Sequence, residues 1–91
     1  MQNKILINSF LTSYLLKMDK TKKKRFYEKI EFLENGILDA GVKVKKLKGI
    51  SGKVIFEARL TRGDRILFTM GNHGGQTALY IWGIVKHDDI S

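Results

Sequence analysis

Hydrophobic positions in the first third of the chain recur at the spacing of helices. Residues 4–7 form a short apolar segment that fits an edge strand, and Asn8 or Ser9 can cap a helix that follows it. The apolar face of this first helix is predicted from Leu11, Tyr14, Leu15 and Met18. A second helix is predicted from near Asp19 or Thr21 to Asn35, with Gly36 as a left-handed stop. Its apolar face contains Phe26, Ile30 and Leu33. The pattern indicates a helical hairpin.

Three later segments, residues 53–61, 65–70 and 78–86, have the pattern of β-strands. A three-residue loop at 62–64 keeps one face apolar, by pairing Leu60 with Ile66, Ala58 with Phe68 and Phe56 with Met70. The opposite face then gathers Glu57, Arg59 and Arg65. Residues 37–49 form a lysine-bearing connection that can be partly extended, and residues 71–77 are predicted to be a flexible loop.

The last strand is apolar on both faces, as is typical of a central strand. The bulkier face, Tyr80, Trp82 and Ile84, is predicted to pack on the helices, so that both aromatic rings belong to the core. The other face, with Leu79, Ile81, Gly83, Val85 and His87, is then on the side of the two arginines.

Charge is concentrated in the first half of this chain, which has 91 residues and a net charge of +8 and is predicted to be one domain, 1–91. Residues 1–48 contain 12 Lys/Arg and 5 Asp/Glu, a net +7, and the remainder 5 and 4, a net +1. Such a field attracts RNA, DNA, a ribosome or an acidic protein, although a lysine-rich helix can equally be a solvated face. The candidate nucleic-acid-binding residues are Lys20, Lys22, Lys23, Lys24, Arg25, Lys43, Lys45, Lys46, Lys48 and Arg62.

Several function classes find no support in the sequence. The chain has no cysteine, and its histidines and acidic residues lack a clustered metal-ligand spacing, so no metal or cofactor is expected. The longest apolar run is residues 79–85, too short to cross a bilayer, and no secretion signal opens the chain. No membrane association is expected, and the expected location is the cytoplasm.

Short motifs at characteristic intervals give the chain a family resemblance. Leu47, Lys48 and Gly49 precede a basic strand, Arg65 begins a strand that continues Ile66, Leu67, Phe68, and the last strand closes on His87, Asp88 and Asp89. In these motifs and in element order the chain resembles the RelE/ParE superfamily of bacterial toxin domains. The resemblance implies an α+β fold of order β-α-α-β-β-β, with the helical hairpin packed on one face of a small, mostly antiparallel sheet.

The resemblance also implies a function, that of the toxin in a type II toxin–antitoxin system. RNA-cutting members cleave mRNA on the ribosome without metal, by attack of the ribose 2′-hydroxyl on the adjacent phosphate. The expected catalytic residues are His87 as acid/base, Arg65 and Arg59 as phosphate clamps, and Glu57 as a substitute base. The expected partners are a cognate antitoxin, the ribosome and mRNA.

Departures from the family pattern keep other functions open. No aromatic residue follows His87, Glu57 stands where several members have lysine, and Lys45 stands where another subgroup has a glutamate base. Asp88 or Asp89 can orient His87. The alternative is a nonenzymatic module of the same fold, either a gyrase-directed toxin or a domain found at the front of UvrD-like helicases. The site residues also have ordinary interpretations. Arg59 and Glu57 can form a surface ion pair, Arg65 can be the solvated start of a strand, and His87 can be an ordinary histidine at a strand end.

Overall fold

The computed structural model describes residues 2–37, 44–47 and 54–86, and within these ranges the chain forms five strands and two helices. The elements are β1 (Lys4–Ile7), α1 (Ser9–Leu16), α2 (Lys20–Glu34), β2 (Lys45–Leu47), β3 (Ile55–Arg59), β4 (Asp64–His73) and β5 (Gln76–Lys86). The predicted strands and helices are all present. β2 is additional, and it lies in the connection that was expected to be partly extended.

The strands form one sheet in the order β1-β5-β4-β3-β2. β1 runs parallel to β5, and the other neighbours are antiparallel. Both helices cover one face of this sheet, where their apolar residues pack against the buried side chains of β3, β4 and β5. The largest fully buried side chains are Phe26, Phe68, Leu33, Leu60, Ile66, Leu79 and Ile81. The α+β class and the helical layer on one face of a mostly antiparallel sheet are therefore confirmed.

The β3–β4 hairpin has a register two residues away from the predicted one. Phe56 pairs with Phe68 and Ala58 with Ile66, because the three-residue loop is 61–63 and the backbone N–H of Leu60 donates to the Asp64 carbonyl at 3.1 Å. A shift of two residues preserves the side-chain alternation, so the predicted faces survive. Phe56 and Phe68 stack with ring centroids 5.6 Å apart, whereas Met70 is 40 % exposed.

The predicted packing of Trp82 on the helices is wrong. The pairing of β4 with β5 slips by one residue between Leu67 and Phe68, so that Leu67 faces Gly83 while Phe68 faces Ile81. Trp82 is the extra residue of this β-bulge, and it is 59 % exposed. Leu79 and Ile81 take the core positions instead, and only Ile84 of the predicted helix-facing set packs against the core.

Two local predictions fail because turn and helix geometry override the pattern. Residues 71–77 are not a flexible loop: β4 and β5 continue to a two-residue turn, where Gly74 and Gly75 have positive φ angles of 61° and 80°. Tyr14 does not belong to the core face of α1, since it is 51 % exposed while Leu11 and Leu15 are buried.

Asn8 connects the start of α1 to the bulge in β5. Its side-chain oxygen accepts from the backbone N–H of Leu11 at 2.8 Å, which caps the helix. Its side-chain nitrogen donates to the carbonyl of Trp82 at 2.8 Å. One side chain thus caps a helix and bonds a carbonyl of β5 just beyond the last pair of β1 and β5.

Replacing Asn8 tests this double role. Asn8→Ala removes the cap and leaves the Trp82 carbonyl unbonded, and we expect it to lower the free energy of unfolding by about 2 kcal/mol. Asn8→Ser keeps the capping oxygen, so it should lose about half as much. Urea unfolding followed by circular dichroism measures both values. Equal losses in the two variants would contradict a role for the side-chain nitrogen.

Candidate functional site

Four charged side chains meet in a small pocket on the face of the sheet that the helices leave open. Lys45 on β2 lies directly across from Glu57 on β3, and Arg59 on β3 lies across from Arg65 on β4. These four residues line a cavity of about 240 Å³. The structure therefore brings together the predicted carboxylate and both predicted arginines, and it adds Lys45, which the sequence indicated only as a nucleic-acid-binding residue.

Glu57 is the most unusual member of this pocket. Its side chain is buried, with 4 % of the residue exposed, and the buried atom Oε2 has no hydrogen-bond partner among the described residues. An acceptor withdrawn from water without a partner costs about 1–3 kcal/mol, and native proteins rarely tolerate it away from functional sites. The cations that line the same cavity offset part of this cost through charge attraction.

Arg65 is buried as well, with 6 % exposed, and its guanidinium group serves the backbone. Nη1 donates to the carbonyl of Thr61 at 2.9 Å, and to those of Arg62 and Asp64 at 3.1 Å each. These carbonyls belong to the β3–β4 turn, so Arg65 holds the turn closed from the open face of the sheet. The solvated strand end considered from the sequence does not describe this residue.

Arg59 and Lys45 are the more accessible cations of the pocket. Arg59 is half-buried and Lys45 is exposed, so an incoming anion can reach both side chains. A guanidinium group beside an ammonium group suits a phosphate oxygen, because fork-shaped and point-like donors can bind it together. The pocket thus combines a buried acceptor with reachable cations.

The basic first turns of α2 lie beside the same β3–β4 turn, on the helical side. Lys22 forms an ion pair with Asp64, with Nζ and Oδ2 2.9 Å apart, and Asp64 Oδ2 also accepts from the Thr61 hydroxyl at 2.8 Å. The hydrogen bond from Lys22 lowers the pKa of Asp64, and the same bond raises the pKa of Lys22. Lys22 therefore supports the fold.

The other predicted nucleic-acid-binding residues that the structure describes are mostly exposed. Lys20, Lys24 and Arg25 on α2 are exposed, and Lys23 is half-buried. Arg62 is exposed on the β3–β4 turn, and Lys46 is exposed on β2. Lys43 and Lys48, and also His87 with Asp88 and Asp89, lie outside the described residues.

Trp82 is the surface residue that sequence reasoning missed. Its indole Nε1 donates to the Thr69 hydroxyl at 2.9 Å, on the same face of the sheet as Arg59 and Arg65. A bulge is not recognisable from the alternation of side chains when every neighbouring residue is apolar or glycine, as in residues 79–85. The break in pairing was therefore invisible in the pattern.

Among the residues that the structure describes, there is neither a metal site nor a membrane-spanning helix. In this part of the chain, no group of three or more histidine or acidic side chains is placed to hold a metal ion. Neither of the helices described is long and apolar enough to cross a membrane.

The fold and the pocket define a class of protein structure. The chain has two helices packed on a five-stranded mixed sheet, and solved structures of RelE and YoeB have the same fold. No protein-family model matches the sequence, and no curated protein matches it either.

Three solved structures illustrate the likeness. The RelE–RelB complex from Pyrococcus horikoshii matches with a TM-score of 0.74 at 21% identity, over 94% of this chain and 96% of that one. The YoeB/ParE toxin from Agrobacterium tumefaciens matches with a TM-score of 0.74 at 15% identity, over 92% and 98%. The YoeB–YefM complex from Staphylococcus aureus matches with a TM-score of 0.66 at 19% identity, over 96% and 99%. At these identities the likeness establishes the fold.

The structural role of Arg65 predicts a contrast with its neighbour Arg59. Arg65→Ala removes charged hydrogen bonds to the β3–β4 turn, and we expect the free energy of unfolding to fall by about 2–3 kcal/mol. Arg59→Ala is the matched control and should change it by less than about 1 kcal/mol. Urea unfolding of both variants measures the difference. Similar values for the two arginines would contradict the assignment.

The Lys22–Asp64 pair predicts a pH-dependent contribution to stability. Because the pKa of Asp64 is lowered in the folded protein, the pair stabilises the fold above about pH 4 and loses its effect as pH falls through the folded pKa. Lys22→Met should lower the free energy of unfolding by up to about 1 kcal/mol near neutral pH. Unfolding curves between about pH 6 and about pH 3 should show this difference vanish in acid. Lys24→Met, which removes an exposed charge, should show no such convergence.

Proposed function

We propose that this protein is the toxin of a toxin–antitoxin pair, and that it cleaves mRNA bound to the ribosome. The proposal rests on one observation above the others: a protein with the fold of the RelE and YoeB structures has a buried carboxylate and three cations in one open pocket. The YoeB/ParE structure is of a toxin, which supports the same role here.

Cleavage by 2′-hydroxyl attack requires a base, an acid and stabilisation of the negative charge that builds on phosphorus. The base accepts the proton of the attacking hydroxyl, while the acid donates a proton to the leaving 5′-oxygen. The proposed reaction uses no metal ion, so cationic side chains supply the charge stabilisation. The pocket contains candidates for the base and for the charge stabilisation.

Glu57 is the proposed base. Its Oε2 is an acceptor without a partner among the described residues, and it lies in a pocket where Lys45 and Arg59 can bring a phosphate close. A carboxylate beside a phosphodiester is repelled by it, and the surrounding cations reduce that repulsion. His87 is the proposed acid, since an imidazole can carry a proton near neutral pH. His87 directly follows Lys86, the last described residue of β5.

Arg59 and Arg65 have different roles in the proposed mechanism. Arg59 is half-buried and faces the pocket, so it is the proposed clamp on the phosphate oxygens. Arg65 contributes fixed positive charge, while its Nη1 holds the turn that positions Arg59. This division assigns Arg65 a positioning role besides the catalytic role expected from the sequence.

The proposed partners follow from charge. The exposed cations Lys20, Lys24 and Arg25 on α2 suit ribosomal RNA, and a net charge of +8 suits an acidic antitoxin that covers the basic surface. Complexes among the structural neighbours, RelE with RelB and YoeB with YefM, support a protein partner of this kind.

A nonenzymatic binding module of the same fold is the competing proposal. The engagement of Arg65 with the β3–β4 turn favours it, because one of the predicted clamps is already occupied. Such a module would bind nucleic acid with a steep dependence on salt and leave ribosome-bound mRNA intact.

The decisive experiment is cleavage of mRNA on purified ribosomes. The wild-type protein should cut the message, Glu57→Gln and His87→Ala should each reduce the rate by about 100-fold or more, and Arg59→Ala by about 100- to 1,000-fold. Lys17→Ala, which removes an exposed cation at the end of α1, is the control and should cleave normally. Unfolding curves for each variant establish that the fold is retained.

The outcomes separate the two proposals. Loss of cleavage in the Glu57, Arg59 and His87 variants, with the control active, supports the nuclease. Binding without cleavage by the wild-type protein would favour the nonenzymatic module. Full activity of Glu57→Gln would remove Glu57 from the mechanism.

A further inference from the structure

Trp82 is a large aromatic side chain that the bulge in β5 places on the open face of the sheet. It is 59 % exposed, although the chain has buried positions on β5 that accept large apolar groups. Its Nε1 donates to the Thr69 hydroxyl at 2.9 Å, which fixes the ring and occupies the only polar atom of the indole. The remaining exposed surface can interact with a partner through stacking and apolar contact alone.

Tyr80 provides a second ring beside Trp82. A Cβ added at Gly71 would lie 2.9 Å from Cε2 of Tyr80, so the tyrosine ring rests against β4 in the space that a side chain at position 71 would enter. The two rings form part of a groove of about 670 Å³. The groove is lined by Lys46, Val54, Phe56, Thr69, Met70, Tyr80 and Trp82.

The groove and the charged pocket are neighbours on the sheet. Lys45 lines the pocket and the next residue, Lys46, lines the groove. Glu57 on β3 aligns with Leu67 on β4, which in turn aligns with Gly83, next to Trp82 on β5. Two strand spacings, about 10 Å, therefore separate Glu57 from Gly83, the residue that follows Trp82.

A ligand that fits both sites needs planar apolar groups and regularly placed negative charges. Single-stranded nucleic acid has this chemistry, since bases stack on aromatic rings while cations bind the phosphates. An acidic protein helix would also match the charge, but its aliphatic side chains offer no flat ring to stack on the indole.

We propose that Trp82 is a stacking platform for a base of single-stranded RNA whose backbone lies at Lys45 and Arg59. This inference rests on the proposed function for the identity of the nucleic acid, but it concerns binding and does not require cleavage. Tyr80, which lines the same groove, borders the base.

Trp82 is the only tryptophan of the chain, so intrinsic tryptophan fluorescence reports on this position alone. Titration with a short single-stranded RNA should quench the fluorescence. An abasic oligonucleotide of the same length and charge should bind at low salt with little quenching. This pair of ligands separates stacking from charge attraction.

Variants measured with a labelled RNA provide the second test. Trp82→Leu should weaken binding by about 10-fold, because it removes the stacking surface, and Trp82→Phe should retain most of the affinity. Phe10→Leu is the matched control, since Phe10 is 87 % exposed on α1, and it should bind like the wild type.

Equal quenching by the abasic and the normal oligonucleotide would overturn the proposal, as would unchanged affinity of Trp82→Leu. A fluorescence change that follows protein concentration instead of RNA would assign the groove to a second copy of the chain and also overturn it. Base-dependent quenching without ribosomal cleavage would support the stacking platform while the nuclease proposal fails. Cleavage without quenching would do the reverse.

Discussion

The guanidinium group of Arg65 is the interaction on which the rest of the open face depends. By donating to three carbonyls of the β3–β4 turn, it closes a loop of three residues and fixes the pairing of the two strands. On the other side of the sheet Asp64 connects the same turn to Lys22 of α2. The turn thus joins the helical layer to the pocket, and the positions of Glu57 and Arg59 follow from it.

The pocket shows the usual conflict between stability and chemistry. A buried acceptor without a hydrogen bond lowers stability, and a hydrophobic residue at position 57 would avoid that cost. Such exceptions to the rules of packing are concentrated at functional sites. Cross-strand placement of Lys45 against Glu57 supplies a partial compensation through charge. A bound ligand that donates a hydrogen bond to Glu57 Oε2 would remove this cost, since the atom has no partner among the described residues.

The sequence predicted side-chain periodicity well and the places where it is interrupted poorly. The faces of α2, β3 and β4 followed from spacing, and the two-residue error in pairing Phe56 did no harm because it preserved the alternation. Trp82 was misplaced because a bulge moves one residue without leaving a mark in an apolar segment. The hydrogen bonds from Arg65 to the β3–β4 turn could not be predicted either, since they depend on the conformation of that turn. Glu57, Arg59 and Arg65 could be placed together from the sequence, but Lys45 as their neighbour and the groove beside Trp82 could not.

β5 lies between β1 and β4, and this placement has a consequence for how the molecule assembles. β1 pairs with a strand more than seventy positions away, Lys4 with Ala78, whereas β3 and β4 are joined by a short turn. Pairing between distant segments is slow because a long loop must close first. A growing polypeptide can form the hairpin early, but the sheet remains in two parts until β5 has been synthesised. The complete sheet, and with it the bulge that exposes Trp82, therefore forms only once β5 has paired with both β1 and β4.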